Sequence, residues 1–539
     1  MSTASTHSEQ EKAFTSLKED VVVHEAGPLL TPQEEKRLIR KIDYKVRLCC
    51  GHPLCTHSDE QGTPTQLVPF LSLLYLLSFL DRVNIGQARL DGLEKDLGLK
   101  GQQYNITLVI FFVSYCAFEV PFNILLKRMR PSRFIPAIMI AWGIVMTLMS
   151  LVTNYTGLLL ARFFLGLTES ALFPGCCFYL VSWYRRDESN LRIAIFFSSA
   201  TLSGAFGGIL AYGLSQMDGV GGKPGWFWIF AIEGLLTFIV GAIAPWMIED
   251  FPEDAKFLTE TERTHIVRRL AHDVGRSGGF RWVHVKNAFK DWRTYCYMLI
   301  YIGVAEPLYS LALFTPTIIS ELGIFTRWQS QLLSTPPYVL AFIVTLGSAI
   351  YSDKLKSRGW FNVFWMSIVV IGYAILLGTN PADKPGVAYF ALFLCVAGVA
   401  PCIANTITWA GNNMSPTLKR GTGMGMMFTL GNSGGIISSL VYFTQDKPRY
   451  FRGHSIGLGF AAMAALLSLF LRFNLAAENR RRDELCGTTT EEMQGDRGAE
   501  LMGRMQRDPE LRRRFGLEGL TEDEIEEMGD RALTFRYYV

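Results

Sequence analysis

Three ionisable residues stand inside apolar runs: Asp81 in LLYLLSFLDRVNIGQARL (73–90), and Arg162 and Glu169 in LLLARFFLGLTESALFPG (158–175). An ionised side chain at bilayer depth costs at least roughly 2.5 kcal/mol on insertion scales, so such groups pair, face a cavity, or handle substrate and protons. On a helix entered near Leu67, Asp81 lies roughly 20 Å along. On a helix entered from the other side near Tyr155, Arg162 lies roughly 10 Å down, at a similar level, so the two can meet across a cavity. Glu169 follows on nearly the same face about 10 Å deeper, close to the midplane. Asn84 shares the face of Asp81 by the i, i+3 rule, whereas Arg82 points about 100° away.

Softer candidates surround these. Glu119 and Glu233 read as pins between helices. Glu306 falls near mid-membrane beside Pro307, where a helix break would expose backbone for binding. Tyr309, Phe314, Trp409 and Phe428 can stack on a flat ring, and Asn405, Asn412 and Asn432 can hydrogen-bond a carboxylate or amide. The expected substrate-binding set is therefore Arg162, Asn84, Tyr309, Asn405, Trp409 and Asn432.

Positioning them requires membrane helices. The chain is 49% hydrophobic and only 19% charged, with mean hydropathy +0.20, too apolar for an ordinary soluble enzyme of 539 residues. A span needs about 20 mostly apolar residues. That yardstick finds six segments near 68–88, 104–126, 134–153, 155–182, 192–215 and 226–248. A polar stretch, 249–291, separates them from six more near 294–320, 328–351, 360–379, 387–411, 421–443 and 454–475. The expected architecture is an all-α membrane protein of twelve transmembrane helices in two pseudo-symmetric six-helix bundles, 68–248 and 292–475. An N-terminal tail (1–67), a central loop (249–291) and a C-terminal tail (476–539) complete it. SGAFGG and GTGMGMMFTLGNSGG supply small residues for close helix approach.

The cations set the orientation. Lys127, Arg128, Arg130, Arg133, Arg185, Arg186, Arg192, Lys354, Lys356, Arg358, Lys419 and Arg420 all fall on one side with the central loop. The positive-inside rule then puts both termini in the cytoplasm. No apolar h-region opens the chain, so no signal peptide is expected. The net charge of +3 gives no basic face for nucleic acid. GGKPG (221–225) lacks the spacing and the Ser or Thr of a P-loop, which excludes an ATP-driven pump. Pore-lining rings, as a channel needs, are absent from a layout that instead fits alternating access. Ten cysteines are scattered without a disulfide pattern. Cys49, Cys50, His52, Cys55 and His57 crowd together, but their spacing matches no standard finger, and no metal or other cofactor is expected.

The segments LLYLLSFLDRVNIGQARLDGLEKDLGL, ARFFLGLTESALFPG, YLVSWYRRDESNLRIAIFFSSATLSGAFGGILAYGL and IANTITWAGNNMSPTLKRGTGMGMMFTLGNSGGII resemble the anion:cation symporter branch of the major facilitator superfamily over residues 68–475. GSAIYSDKLKSR (347–358) is similar to the superfamily's loop signature, with Gly347, Asp353 and Arg358 in place, whereas LLKRMRPSR in the first half has lost the Asp. Within the branch the chain looks closest to the fungal allantoate permease group, and GLEKDLGL with VNIGQARL resembles its nicotinic acid permeases. The ending ALTFRYYV fits the same group. The resemblance implies proton-coupling roles for Asp81 and Glu169 and an anion-supporting role for Arg162. Relatives run directly from KIDYKV (41–46) into the first span, so residues 47–67 read as a retained intron or gene-model error.

The expectation is thus a monomeric, multi-pass plasma-membrane symporter that is not an enzyme. Its partners are protons, the lipid bilayer and a small organic carboxylate, nicotinate first, with pantothenate or allantoate as alternatives. A nutrient sensor on a transporter fold is the competing class.

Overall fold

The computed structural model describes Glu34, Leu38 and residues 67–539, except 185, 256–257, 275–280, 356, 382, 494–507, 521–523 and 526–527. The Cys and His cluster and residues 47–66 lie outside the described residues. Twelve long helices run among those described: α1 Leu67–Leu90, α2 Gln103–Arg128, α3 Pro131–Met149, α4 Tyr155–Glu169 resuming as Leu172–Val181, α5 Arg186–Ser215 and α6 Gly225–Met247. The second half gives α7 Trp292–Ser320, α8 Thr335–Leu355, α9 Gly359–Gly378, α10 Pro385–Asn413, α11 Thr417–Val441 and α12 Phe451–Cys486. Ten are long and apolar enough to cross a membrane. The other two, α1 and α11, carry the polar run DRVNIGQAR and a glycine-rich run.

Local signals start these helices where the sequence places them. Asn154 caps α4 by accepting from the Gly157 N–H at 2.8 Å, and Asp291 caps α7 by accepting from the Arg293 N–H at 3.0 Å. Pro131 and Pro385 occupy first-turn positions that need no N–H donor. Pro174 cannot donate to the carbonyl four residues earlier, that of Ser170, and α4 breaks there, leaving Glu169 at the end of its first piece. The expected break at Pro307 does not occur: α7 is continuous across Pro307 and Pro316. Its turns there are clamped, Gly303 lying against Phe460 and Ala464 of α12, and Glu306 against Gly434 of α11.

Packing repeats between the halves. α1 packs on α5, α2 on α4 and α3 on α6; correspondingly α7 packs on α11, α8 on α10 and α9 on α12. The bundles meet through α5 with α8 and through α2 with α11, again a pair related by the same exchange, and through α1 with α7. The expected two pseudo-symmetric six-helix bundles are present.

Hydrogen bonds between bundles concentrate at the end opposite the central segment, here the far end. Asn105 of α2 donates to the carbonyls of Ser439 (2.6 Å) and Tyr442 (3.3 Å). Gln331 donates to Asp91 at 3.2 Å, and Asp91 also accepts from Ser215 of α5. Thr335 of α8 donates to the Ala205 carbonyl of α5 at 3.0 Å. Gly86 of α1 lies so close to the Leu313 carbonyl of α7 that a Cβ would sit 2.6 Å from it.

The other end, here the tail end, holds the C-terminal residues. α12 runs past Leu475 to Cys486, and the chain then returns to the second bundle, with Tyr537 buried. The Asn479 carboxamide clamps both the N–H and the C=O of Tyr537 (2.9 and 2.8 Å), and that of Asn413 clamps both groups of Tyr538 (2.7 and 2.8 Å). Trp409 donates to the Tyr538 carbonyl at 2.8 Å, and the Arg358 N–H donates to Val539 at 2.9 Å. This closing segment is a strap across α10, α12 and the start of α9. Within the C-terminal tail (476–539), two buried carboxamides match the peptide groups of Tyr537 and Tyr538 and hold this segment in place.

Candidate functional site

At mid-height a cavity lies between the bundles, lined by Tyr75, Phe79 and Arg82 of α1, Tyr115 of α2, Tyr309 of α7 and Asn432 of α11. Its one charged lining group is Arg82, 3% exposed. Arg82 reaches Glu169 of α4 with two nitrogens, Nη2 at 2.5 Å and Nε at 3.1 Å, both on Oε1, which also accepts from Ser78. The guanidinium lies 4.9 Å from the Tyr115 ring centroid and 5.5 Å from that of Phe111. Such aromatic faces stabilise a desolvated cation by about 2 kcal/mol or more.

From Arg82 the polar contacts cross the cavity. Its Nη1 donates to the Tyr309 hydroxyl at 3.4 Å, Tyr309 donates to Asn432 Oδ1 at 2.9 Å, and Asn432 Nδ2 donates to Glu119 Oε2 of α2 at 3.1 Å. The chain Glu169–Arg82–Tyr309–Asn432–Glu119 therefore leaves the first bundle, passes through the second and returns. A buried cation ringed by aromatics, beside a hydroxyl and a carboxamide, suits a small aromatic or otherwise planar anion.

Among the residues singled out from sequence, Tyr309, Asn432 and Glu169 meet here. Asp81 does not face the cavity: its Oδ2 accepts from Trp142 of α3 (2.7 Å) and Thr237 of α6 (3.0 Å). No Asp81–Arg162 hydrogen bond or ion pair forms among the described residues, because within the first bundle Asp81 is turned toward α3 and α6 and away from α4. Arg162 is 1% exposed, with its Nε and Nη2 unpartnered among the described residues and the Phe111 ring centroid 6.0 Å from its guanidinium. Asn84, on the same face as Asp81, donates to Glu233 of α6 instead of lining the cavity.

Asn405 and Trp409 do not line the cavity, although Ile403 of the same helix, α10, does. Asn405 donates to the Arg358 carbonyl (2.8 Å) and to Asn362 (2.9 Å), and Arg358 Nη1 donates to Ser352 at 3.0 Å, which joins the loop signature to α10. Gly347 lies within α8, as does the backbone of Asp353, whose side chain is outside the described residues. Trp409 holds the strap. Glu306 accepts from Ser310 of its own helix at 2.7 Å. Among the described residues no His, Cys, Asp and Glu grouping could hold a metal.

Arg82 was the residue sequence reasoning turned away from the site. A signal existed: Tyr75, Phe79 and Arg82 are spaced four and three apart, one helix face carrying two rings and a cation.

The family model of the Major Facilitator Superfamily matches residues 71–439. The chain belongs to this superfamily. Its relatives include the MFS-type transporter cnsO of Penicillium expansum, 35% identical over 83% of this chain and 88% of that protein. The high-affinity nicotinic acid transporter of Saccharomyces cerevisiae is 30% identical over 88% of this chain and 83% of that one. The fold is similar to that of a bacterial homolog of the human lysosomal transporter Spinster in an inward-facing, occupied conformation. There the TM-score is 0.58 and the identity 14%, over 76% of this chain and 98% of that one. As a superfamily member this chain is a multi-pass membrane transporter of a small molecule, not an enzyme.

Proposed function

We propose that this transporter imports a small organic carboxylate together with protons, as a member of the allantoate permease group of anion:cation symporters, with nicotinate the first substrate to test. The observation that carries this reading is Arg82, a buried guanidinium on the cavity wall whose one carboxylate partner, Glu169, sits at a helix break. An arriving carboxylate competes with Glu169 for the Arg82 N–H groups. Glu169, released in a low-dielectric site, then takes a proton, so anion and proton bind together. Asp81 is a second candidate for coupling, and Arg162, buried with unpartnered donors, supports the anion through its charge. The relationship to a nicotinic acid transporter and the aromatic lining favour a planar ring acid.

On this reading the tail end faces the cytoplasm, following the cations, and the carrier works as a monomer in the plasma membrane, its cavity being complete within one chain. The test is uptake of radiolabelled nicotinate in acidic and neutral medium by cells lacking their own carrier, with unlabelled pantothenate and allantoate as competitors. Acid-stimulated uptake that a protonophore abolishes and the competitors leave intact supports nicotinate–proton symport. Accumulation of a competitor instead moves the substrate, and failure to accumulate any of them from protein at the cell surface removes the reading.

A further inference from the structure

Among the described residues, five carboxyl groups are buried inside the spans: Asp81, Glu119, Glu169, Glu233 and Glu306. They differ in where their described hydrogen-bond donors come from. Asp81 is served by α3 and α6, Glu233 by Asn84 of α1, and Glu169 by Ser78 and Arg82 of α1, all within the first bundle. Glu306 is served by Ser310 of its own helix. Glu119 of α2 takes its donor, Asn432 of α11, from the opposite bundle. Asp91, beyond the end of α1, also receives Gln331 from the second bundle but keeps Ser215 of its own.

The position of the Glu119–Asn432 contact gives this difference a consequence. The described hydrogen bonds between bundles run from the far end (Asn105, Gln331, Thr335) down to this level. Rocking that opens the far end separates α2 from α11 and withdraws the Asn432 amide. A hydrogen bond donated to a carboxylate favours its charged form, and removing it in a low-dielectric setting favours the protonated form. The charged and titratable groups around Glu119 are Arg82 of α1, Tyr301 and Tyr309 of α7, and Tyr115 and Cys116 of its own helix. Arg82 is committed to Glu169, which α4 brings.

We propose that Glu119 is a proton-carrying residue whose proton affinity is switched by the other bundle through Asn432. With the far end open the carboxylate takes a proton from that side; with the far end closed, as in this structure, Asn432 returns and the proton leaves toward the tail end. This deepens the symport reading and rests on it for the direction of transport.

The deciding experiment is an acid–base infrared difference titration of the purified full-length protein, which needs no substrate, beside nicotinate accumulation in proteoliposomes under a proton gradient. Expected in Glu119→Gln is loss of one titrating buried-carboxyl band, and a tenfold or greater fall in gradient-driven accumulation relative to counterflow. Glu119→Asp should restore a titrating band, which guards against misfolding of the Gln variant. In Asn432→Leu the midpoint of that band should move to higher pH. A spectrum unchanged in Glu119→Gln, or a midpoint unmoved in Asn432→Leu, overturns the proposal. Wild-type protein that accumulates no nicotinate under the gradient refutes nicotinate–proton symport, while the infrared titration still decides Glu119.

Discussion

Arg82 and Glu169 should behave as one energetic unit, and a double-mutant cycle measures it. Their side chains are 4% and 0% exposed and 2.5 Å apart. Removing one partner of such a pair leaves a buried charge uncompensated, at a cost of about 3–5 kcal/mol. Arg82→Met also loses the cation–ring contact with Tyr115 at 4.9 Å, a further ~2 kcal/mol. Glu169→Gln keeps a hydrogen-bond acceptor for Ser78 but strands the guanidinium. The double variant strands neither charge, so it should be less destabilised than the two single costs sum to, by about 2–3 kcal/mol. Reversible denaturant unfolding in mixed micelles reads all four proteins, and transport should be lost in the three variants. Additivity within about 0.5 kcal/mol would refute a mutually compensated pair at the cavity.

Other expectations follow from contacts elsewhere in the molecule. Gly86→Ala would place a Cβ 2.6 Å from the Leu313 carbonyl, a backbone atom, so it should shift the population toward a far-end-open state, read as increased labelling of cysteines introduced at that end. Deleting Phe535–Val539 leaves the carboxamides of Asn413 and Asn479 and the Trp409 N–H without their backbone partners; each lost buried bond costs ~1–3 kcal/mol, and the melting temperature and surface level should fall. Lys419 lies 2.6 Å from both Asp291 and Asp530, and burial raises the Asp530 carboxyl above its ordinary range although Lys419 pulls it down. In Lys419→Met that restraint is gone. A carboxyl whose folded-state proton affinity exceeds its unfolded one contributes stability at low pH and loses it as pH rises through the folded value. The variant should therefore melt well below wild type at neutral pH and recover on acidification; an equal deficit at both pH values would contradict the arrangement.

How far the site was legible depends on which property of a helix a residue reports. Tyr309, Asn432 and Glu169 were recognisable because each is a polar group in an apolar span, and all three meet at the cavity. Asp81, Asn84 and Arg82 were equally conspicuous, yet it is Arg82 that lines the cavity while Asp81 and Asn84 turn toward α3 and α6. Asn405 and Trp409 had the chemistry for a substrate but sit where the loop signature and the strap need them.

The sequence by itself determined the spans, their grouping into two halves, and the presence of small residues where helices approach closely, because each follows from local composition and length. It could not determine the rotation of each helix about its own axis. α1 and α7 are buried on almost every side, so no apolar stripe marks which face meets a neighbour and which meets the cavity. That rotation is a property of packing. Tertiary structure alone turned Arg82 toward Glu169, brought Asn432 across the bundle interface to Glu119, and laid the last residues of the chain against Asn413 and Asn479, contacts between positions too far apart in sequence for any local pattern to specify.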